Sequence, residues 1–140
     1  YVDESVVKVV SVESAGLKWS TEFEITGADD MCDGLKNQKT IQSRSGWESK
    51  YPAFKWCADL GEGWYLPAIE ELQVIYDAQN TINSALYAED YPMLMSNDYL
   101  SSTECYDDDE YSAYAQSCGA WINWSKYVIS TVRAVYVLKI

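Results

Sequence analysis

Gly61-Glu62-Gly63-Trp64-Tyr65-Leu66-Pro67-Ala68-Ile69-Glu70-Glu71-Leu72 is the stretch from which the rest of the fold can be read. It has the chemistry of one helix ending, a bend, and a second helix beginning. Gly61 and Gly63 tolerate positive φ and so can close a preceding helix. Pro67 suits the lip of a helix, where its missing N–H would be orphaned anyway. Glu70 and Glu71 fall in the first turn, where the helix dipole favours negative charge. Ala68 offers no hydroxyl, so the reciprocal capping pair that a Thr would form with Glu71 is not expected. Ile69, Leu72, Ile75 and Tyr76 recur at helical spacing, which places the second helix over 68–78, with an extension toward Tyr87 through Ile82, Ala85 and Leu86. Trp64 and Leu66, on the bend, are expected to pin it to the core.

Upstream, 48–60 reads as the first helix, with Pro52 in its first turn and Ala53, Trp56, Cys57 and Leu60 as its buried stripe. The segment 26–37 is turn chemistry. Its acids Asp29, Asp30 and Asp33 lack the offsets and closing Glu of an EF-hand, so it reads as a solvated loop. Segment 5–14 is rich in β-branched residues and reads as a strand covered on both sides. A second strand is expected over 17–25, anchored by Leu17, Trp19 and Phe23. Downstream, 87–97 is a loop around Pro92 with Met93, Leu94 and Met95 tucked beneath it. Strands follow over 99–104 and 131–139. Two helices early and strands late give an α+β order rather than βαβ repeats.

Three blocks occur in a fixed order: Trp64-x-Leu66-Pro67-Ala68-x-x-Glu71-Leu72, then Tyr99-Leu100-Ser101-Ser102-Thr103-Glu104, then Val132-Arg133-Ala134-Val135. Asp33-Gly34, the run from Tyr51 to Cys57, and Ser125-Lys126 join them. This pattern resembles a bacterial family related to the C-terminal domain of the Legionella collagen-like protein. Leu100 stands where that family usually has Trp, and Ala68 where Thr is common. The resemblance implies a C-type-lectin-like fold, one domain over 1–140, with residues 5–14 paired to 131–139 and two helices flanking the sheet. It also implies a bacterial cell surface or a phage tail. Tyr1 is not an initiator Met, so the chain is expected to be the C-terminal part of a longer one, open to a lipid anchor upstream.

Composition narrows the chemistry. The 140 residues carry 22 acidic and 10 basic side chains, a formal charge of −12, and no histidine. Nucleic acid and anionic lipid are unsuited partners for such a chain. Ser-His and Cys-His nucleophile pairs and His-ligated metal sites are excluded, so no catalysis is expected. No 18-residue apolar run exists to span a membrane. Cys32, Cys57, Cys105 and Cys118 have no Cys-x-x-Cys spacing, which removes a zinc ribbon. Cys57, on a helix face, reads as a buried free thiol, and a Cys105–Cys118 bridge would staple a loop. No cofactor is expected. The chain has Trp121-Ile122-Asn123-Trp124 without a following Asp and lacks Glu-Pro-Asn, the signals of calcium-dependent sugar binding, although Asp107, Asp108 and Asp109 leave calcium open.

Residues 105–128 carry the candidate binding surface. They follow one strand and precede the closing one, and are expected to leave the sheet and return. Tyr106, Tyr111, Tyr114, Trp121, Trp124 and Tyr127 offer aromatic area at low rotamer cost. Asn123 lies among them, and Asp107, Asp108, Asp109 and Glu110 supply an acidic rim. Trp121 and Trp124 read equally well as core. The expected function is a ligand-binding module for a protein or glycan. Diversification by a retroelement, as in the phage major tropism determinant, is implied by the resemblance and fits the residue types of 105–130. Two other readings stand beside it. One is a pilin-like surface subunit, which would need a donor strand or a partner groove. The other is a formylglycine-generating type of enzyme with Cys105 and Cys118 as its reactive pair.

Overall fold

A computed structural model describes residues 6–94, 98–106 and 110–139. The described elements are β1 (Val6–Val10), β2 (Ala15–Leu17), α1 (Gly34–Gln42), α2 (Trp47–Lys50), α3 (Pro52–Asp59), α4 (Ile69–Asp77), α5 (Gln79–Ala88), β3 (Tyr99–Glu104), β4 (Ser112–Ser117), β5 (Ala120–Ser125), β6 (Ser130–Val132) and β7 (Val135–Lys139). The fold is α+β. β1 pairs antiparallel with β7, Val6 opposite Lys139 and Val10 opposite Val135, so the expected closure of the two terminal strands is present. The other strands form one sheet in the order β2-β6-β3-β4-β5.

Five helices replace the two read from the sequence. The first helix is split at Tyr51, whose extended backbone (φ −125°, ψ 76°) separates α2 from α3. The cause is Pro52, whose ring disfavours helical geometry in the residue before it. α1 begins within the segment 26–37 that was read as turn chemistry. It hides because its inward face is mostly polar. Asn37 Nδ2 donates to Asp30 O and Ser102 Oγ, Gln38 Nε2 donates to Phe54 O, and Ile41 is the buried apolar residue. Asp33 caps it by accepting from Lys36 N at 3.0 Å, while Asp30 accepts from the backbone of Cys32 and Asp33, so these acids order the loop. The strand expected over 17–25 stops at Leu17.

The Gly61–Leu72 stretch joins every layer. Tyr65 exchanges two backbone hydrogen bonds of 2.9 Å with Val135 on the outer edge of β7. Leu66 is fully buried, its N–H donating to Gln38 Oε1, and Pro67 O accepts from Ser102 N of β3. Trp64 is half-buried and packs on Tyr136. Glu71 gathers four donors: Gly34 N (2.7 Å) and Ala68 N (3.0 Å) on Oε1, and Tyr65 OH (2.5 Å) and Lys8 Nζ (2.8 Å) on Oε2. Half of the capping pair therefore forms without a Thr, because the Glu side needs only the backbone N–H. Burial, with the Glu71 carboxylate beside it, pushes the Tyr65 hydroxyl far up, so it stays a donor.

The core centres on Trp19, which packs edge-on to Tyr51 and Phe54 with ring centres 6.0 and 5.0 Å away. Ile41, Leu66, Leu100 and Val132 complete it. Ser101, Ser102 and Thr103 are buried and hydrogen-bonded to Tyr114 O, Asn37 and Asp30 O, the structural role their hydroxyls suggest. Met93 is exposed rather than tucked under its loop, and Met95 lies outside the described residues. Cys32, Cys57 and Cys118 are free thiols, Cys57 buried as expected. Cys105 and Cys118 do not meet. Cys105 hydrogen-bonds Ser112 at one end of β4, and Cys118 sits past the other end, about 20 Å along a six-residue strand.

Candidate ligand-binding surface

Within the segment 105–128, expected to leave the sheet, residues 112–117 and 120–125 stay in it as strands. β4 and β5 form a hairpin, Ser112 opposite Ser125 and Ser117 opposite Ala120, closed by Cys118 and Gly119, both at positive φ. Directly opposed residues share a face. Tyr114, Asn123, Gln116 and Trp121 therefore lie on one side, and Ala113 and Trp124 on the other. The predicted site residues separate accordingly. Trp124 packs against the core, its indole N–H donating to Val128 O. Trp121 stacks on Tyr114 at 6.2 Å and donates to Gln73 of α4, remaining 39% exposed. Asn123 is exposed on the same face and Tyr106 is nearly free in solvent. Asp107, Asp108 and Asp109 lie outside the described residues.

Tyr111 and Tyr127 flank the open end of the hairpin, and the structure adds a third ring. Phe23 lies 5.3 Å from Tyr111 and 5.8 Å from Tyr127, and the three side chains are 45–49% exposed. Lys18 Nζ sits 3.8 Å over the Tyr127 ring. Phe23 escaped sequence reading because it was placed as an apolar anchor of a strand that does not extend that far. Three neighbouring aromatics held half out of the core are unusual for a solvent face and suit recognition.

A buried ion pair holds this platform together. Lys126 Nζ lies 2.6 Å from Glu104 Oε2, both side chains essentially inaccessible. Glu104 also accepts from Thr26 N and Gly27 N, and Lys126 donates to Glu24 O while resting 4.5 Å from the Trp19 ring. Lys126 N donates to Tyr111 O. The end of β3, the 23–27 segment and both tyrosine-bearing ends of the hairpin thus converge on one pair. Next to it, Tyr51 OH donates to Glu24 and accepts from Arg44 Nε; burial first, then Glu24, pushes the Tyr51 hydroxyl up to about 12.

On the far side, β1 and the helices α4 and α5 enclose an open groove of about 700 Å³. Its walls are apolar, with Val10 and Val12 on the strand side and Val74, Ile75, Ile82 and Leu86 on the helix side. Cys32, with its thiol donating to Glu70, sits at one end, where Glu70 holds the thiol up in its protonated form. Among the described residues no group of three acidic or thiol side chains is placed to hold a metal ion, and no helix is long and apolar enough to cross a membrane.

No family model matches the chain, and no curated protein matches its sequence. Its fold is similar to part of a fimbrial protein from Bacteroides ovatus, with a TM-score of 0.71 at 18% identity, over 93% of this chain and 35% of that one. The chain thus spans about a third of the length of that fimbrial protein.

Proposed function

We propose that this chain is a non-catalytic domain of a surface protein of the fimbrial type. The observation that carries this reading is the fold shared, over nearly the whole chain, with about a third of a fimbrial protein. Paired terminal strands are compatible with the lectin-like fold that the sequence blocks imply, and the absence of histidine supports a binding or structural role over catalysis. Antibodies to the domain should label intact producing cells, and shearing should release the label with the detached surface material. Label that appears only after lysis would overturn the proposal.

A ligand-binding role is the second reading, favoured by the clustering of Phe23, Tyr111 and Tyr127 beside Lys18. Flat aromatic faces match the apolar faces of sugar rings as well as protein side chains. Diversification by a retroelement belongs with this reading, and a template repeat beside a reverse transcriptase gene would be its trace. Replacing Phe23, Tyr111 and Tyr127 together by Ala should move the melting temperature by only a few degrees, since each is about half exposed. Binding to glycan arrays or to a partner surface should fall at least about tenfold. Unaltered binding by the folded triple variant would place the ligand elsewhere.

A further inference from the structure

We propose that the outer face of the β4–β5 hairpin, beside α4, is a binding site for an uncharged sugar residue of a glycan. This deepens the ligand-binding reading and rests on it, but the site is separate from the platform of Phe23, Tyr111 and Tyr127. Tyr111 and Tyr127 flank the open end of the hairpin, whereas this face runs toward its closed end. Trp121 stacks on Tyr114 there, and three amides adjoin the two rings. Asn123 stands opposite Tyr114, Gln116 opposite Trp121, and Gln73 reaches across from α4. Residues 112–125 hold no charged side chain, in a chain where 23% are charged. Asp77, one turn along α4 from Gln73, accepts from Gln73 Nε2 at 3.0 Å.

Rings and amides together match a sugar, which carries carbon-bound hydrogens on its face and hydroxyls around its rim. Trp121 is 39% exposed with its indole N–H already given to Gln73 Oε1 at 3.0 Å, so what it shows to solvent is carbon. A hydroxyl both donates and accepts, and so does a side-chain amide. Gln116 is 2% exposed, and its one side-chain bond is a long 3.5 Å to Gln73 Oε1. Gln116 Oε1 finds no partner among the described residues, yet it is not sealed in, since the one sealed side-chain polar atom without a partner there is Arg133 Nε. A buried amide that keeps its acceptor open to the surface is a ready point of attachment for a hydroxyl. Asn123 adds an exposed amide on the same face. The site is also held in place beforehand, which lowers the cost of binding. Gln73 is tied to Trp121 and to Asp77, and Tyr76 backs the turn so closely that a Cβ on Gly119 would lie 3.1 Å from its ring. An acidic sugar finds no Lys or Arg on the hairpin or on α4, and approaches a chain of formal charge −12. A protein partner is too large for the patch. Trp121 shows about 100 Å² of ring, against about 800 Å² per side in a stable protein interface.

The test is an NMR titration of the domain with maltose, cellobiose, lactose and mannobiose in turn. At least one of them should bind with a Kd on the order of 1 mM. It should move the indole N–H signal of Trp121 and the side-chain amide signal of Asn123. The Trp124 indole, on the opposite face of the hairpin, should stay fixed. Glucuronic acid at the same concentration should move none of these signals. Trp121→Ala should weaken binding at least about tenfold. Asn123→Ala, at an exposed position, should weaken it at least about threefold without altering the fold. No movement with any of the disaccharides, equal binding of glucuronic acid, or folded Trp121→Ala and Asn123→Ala variants that bind as the parent does would each overturn the proposal. Shifts confined to Tyr111 and Tyr127 would overturn this site and keep the ligand-binding reading. Shifts at Trp121 and Asn123, with glycan binding that survives loss of the Phe23, Tyr111 and Tyr127 rings, would keep this site and remove the platform from that reading.

Discussion

Lys126→Met should lower the unfolding free energy by about 3–5 kcal/mol, because it leaves Glu104 buried without its cation. The pair is 2.6 Å apart and closed to solvent, so water cannot replace the lost partner. Methionine fills the space of the lysine stem, which keeps the loss electrostatic rather than a cavity effect. Two backbone donors from Thr26 and Gly27 remain on Glu104 and limit the damage. A whole domain is worth only about 5–15 kcal/mol, so the variant should sit near the edge of folding. Urea unfolding followed by Trp fluorescence measures it. Adding Glu104→Gln should recover part of the loss, since the orphaned charge is removed with its partner. A single variant within about 1 kcal/mol of the parent would show that the pair is not a support of the fold. The same substitution should also loosen Tyr111, Tyr127 and the 23–27 segment, which meet at this pair.

Gly34→Ala is expected to cost about 3 kcal/mol through crowding alone. A Cβ at this position would fall 2.6 Å from Glu71 Oε1, 2.6 Å from Leu66 O and 2.7 Å from Ala68 N. Two of these atoms are backbone and cannot swing away. Moving Glu71 instead would disturb its bonds to Tyr65, Lys8 and Ala68. Thermal unfolding of the variant should show a fall of roughly 10 °C. A melting temperature equal to the parent's would mean that the α1–bend contact is looser than these distances require.

These two positions also show what the sequence could and could not reveal. The bend, the start of α4 and the terminal strands themselves were legible because they rest on local chemistry: glycines, Pro67, first-turn acids and β-branched runs; that the two strands pair was implied by the family resemblance. Gly34, Glu104 and Lys126 stood inside recognisable blocks, yet their partners lie far away in sequence, so their roles needed the fold. α1 was illegible because Asn37 and Gln38 bury amide groups where an amphipathic pattern would show apolar ones. The hairpin of 112–125 was hidden by its composition, since a small and polar Ser-Ala-Tyr-Ala-Gln-Ser strand does not look like a core element. Phe23 reached the candidate site only because β2 ends early. Tyr111 and Tyr127 were found from their residue type alone, but that same criterion also chose Trp124, which turns inward.

The ribbon of β1 and β7 has a mechanical consequence. Val6 faces Lys139, so chain continuing from either strand departs at the same end. Tension transmitted through those two points would peel the strands apart one pair at a time, each step opposed by a hydrogen bond or two worth about 1 kcal/mol each. Shear across all the pairs at once never arises in this geometry. Peeling halts at the inner end, where Ser11 bonds Ala134, Arg133 holds Ser11 O, and Val135 is gripped by Tyr65. Under load the ribbon would therefore yield first as a short, refoldable extension, shielding the five-stranded sheet and its aromatic platform from the pull.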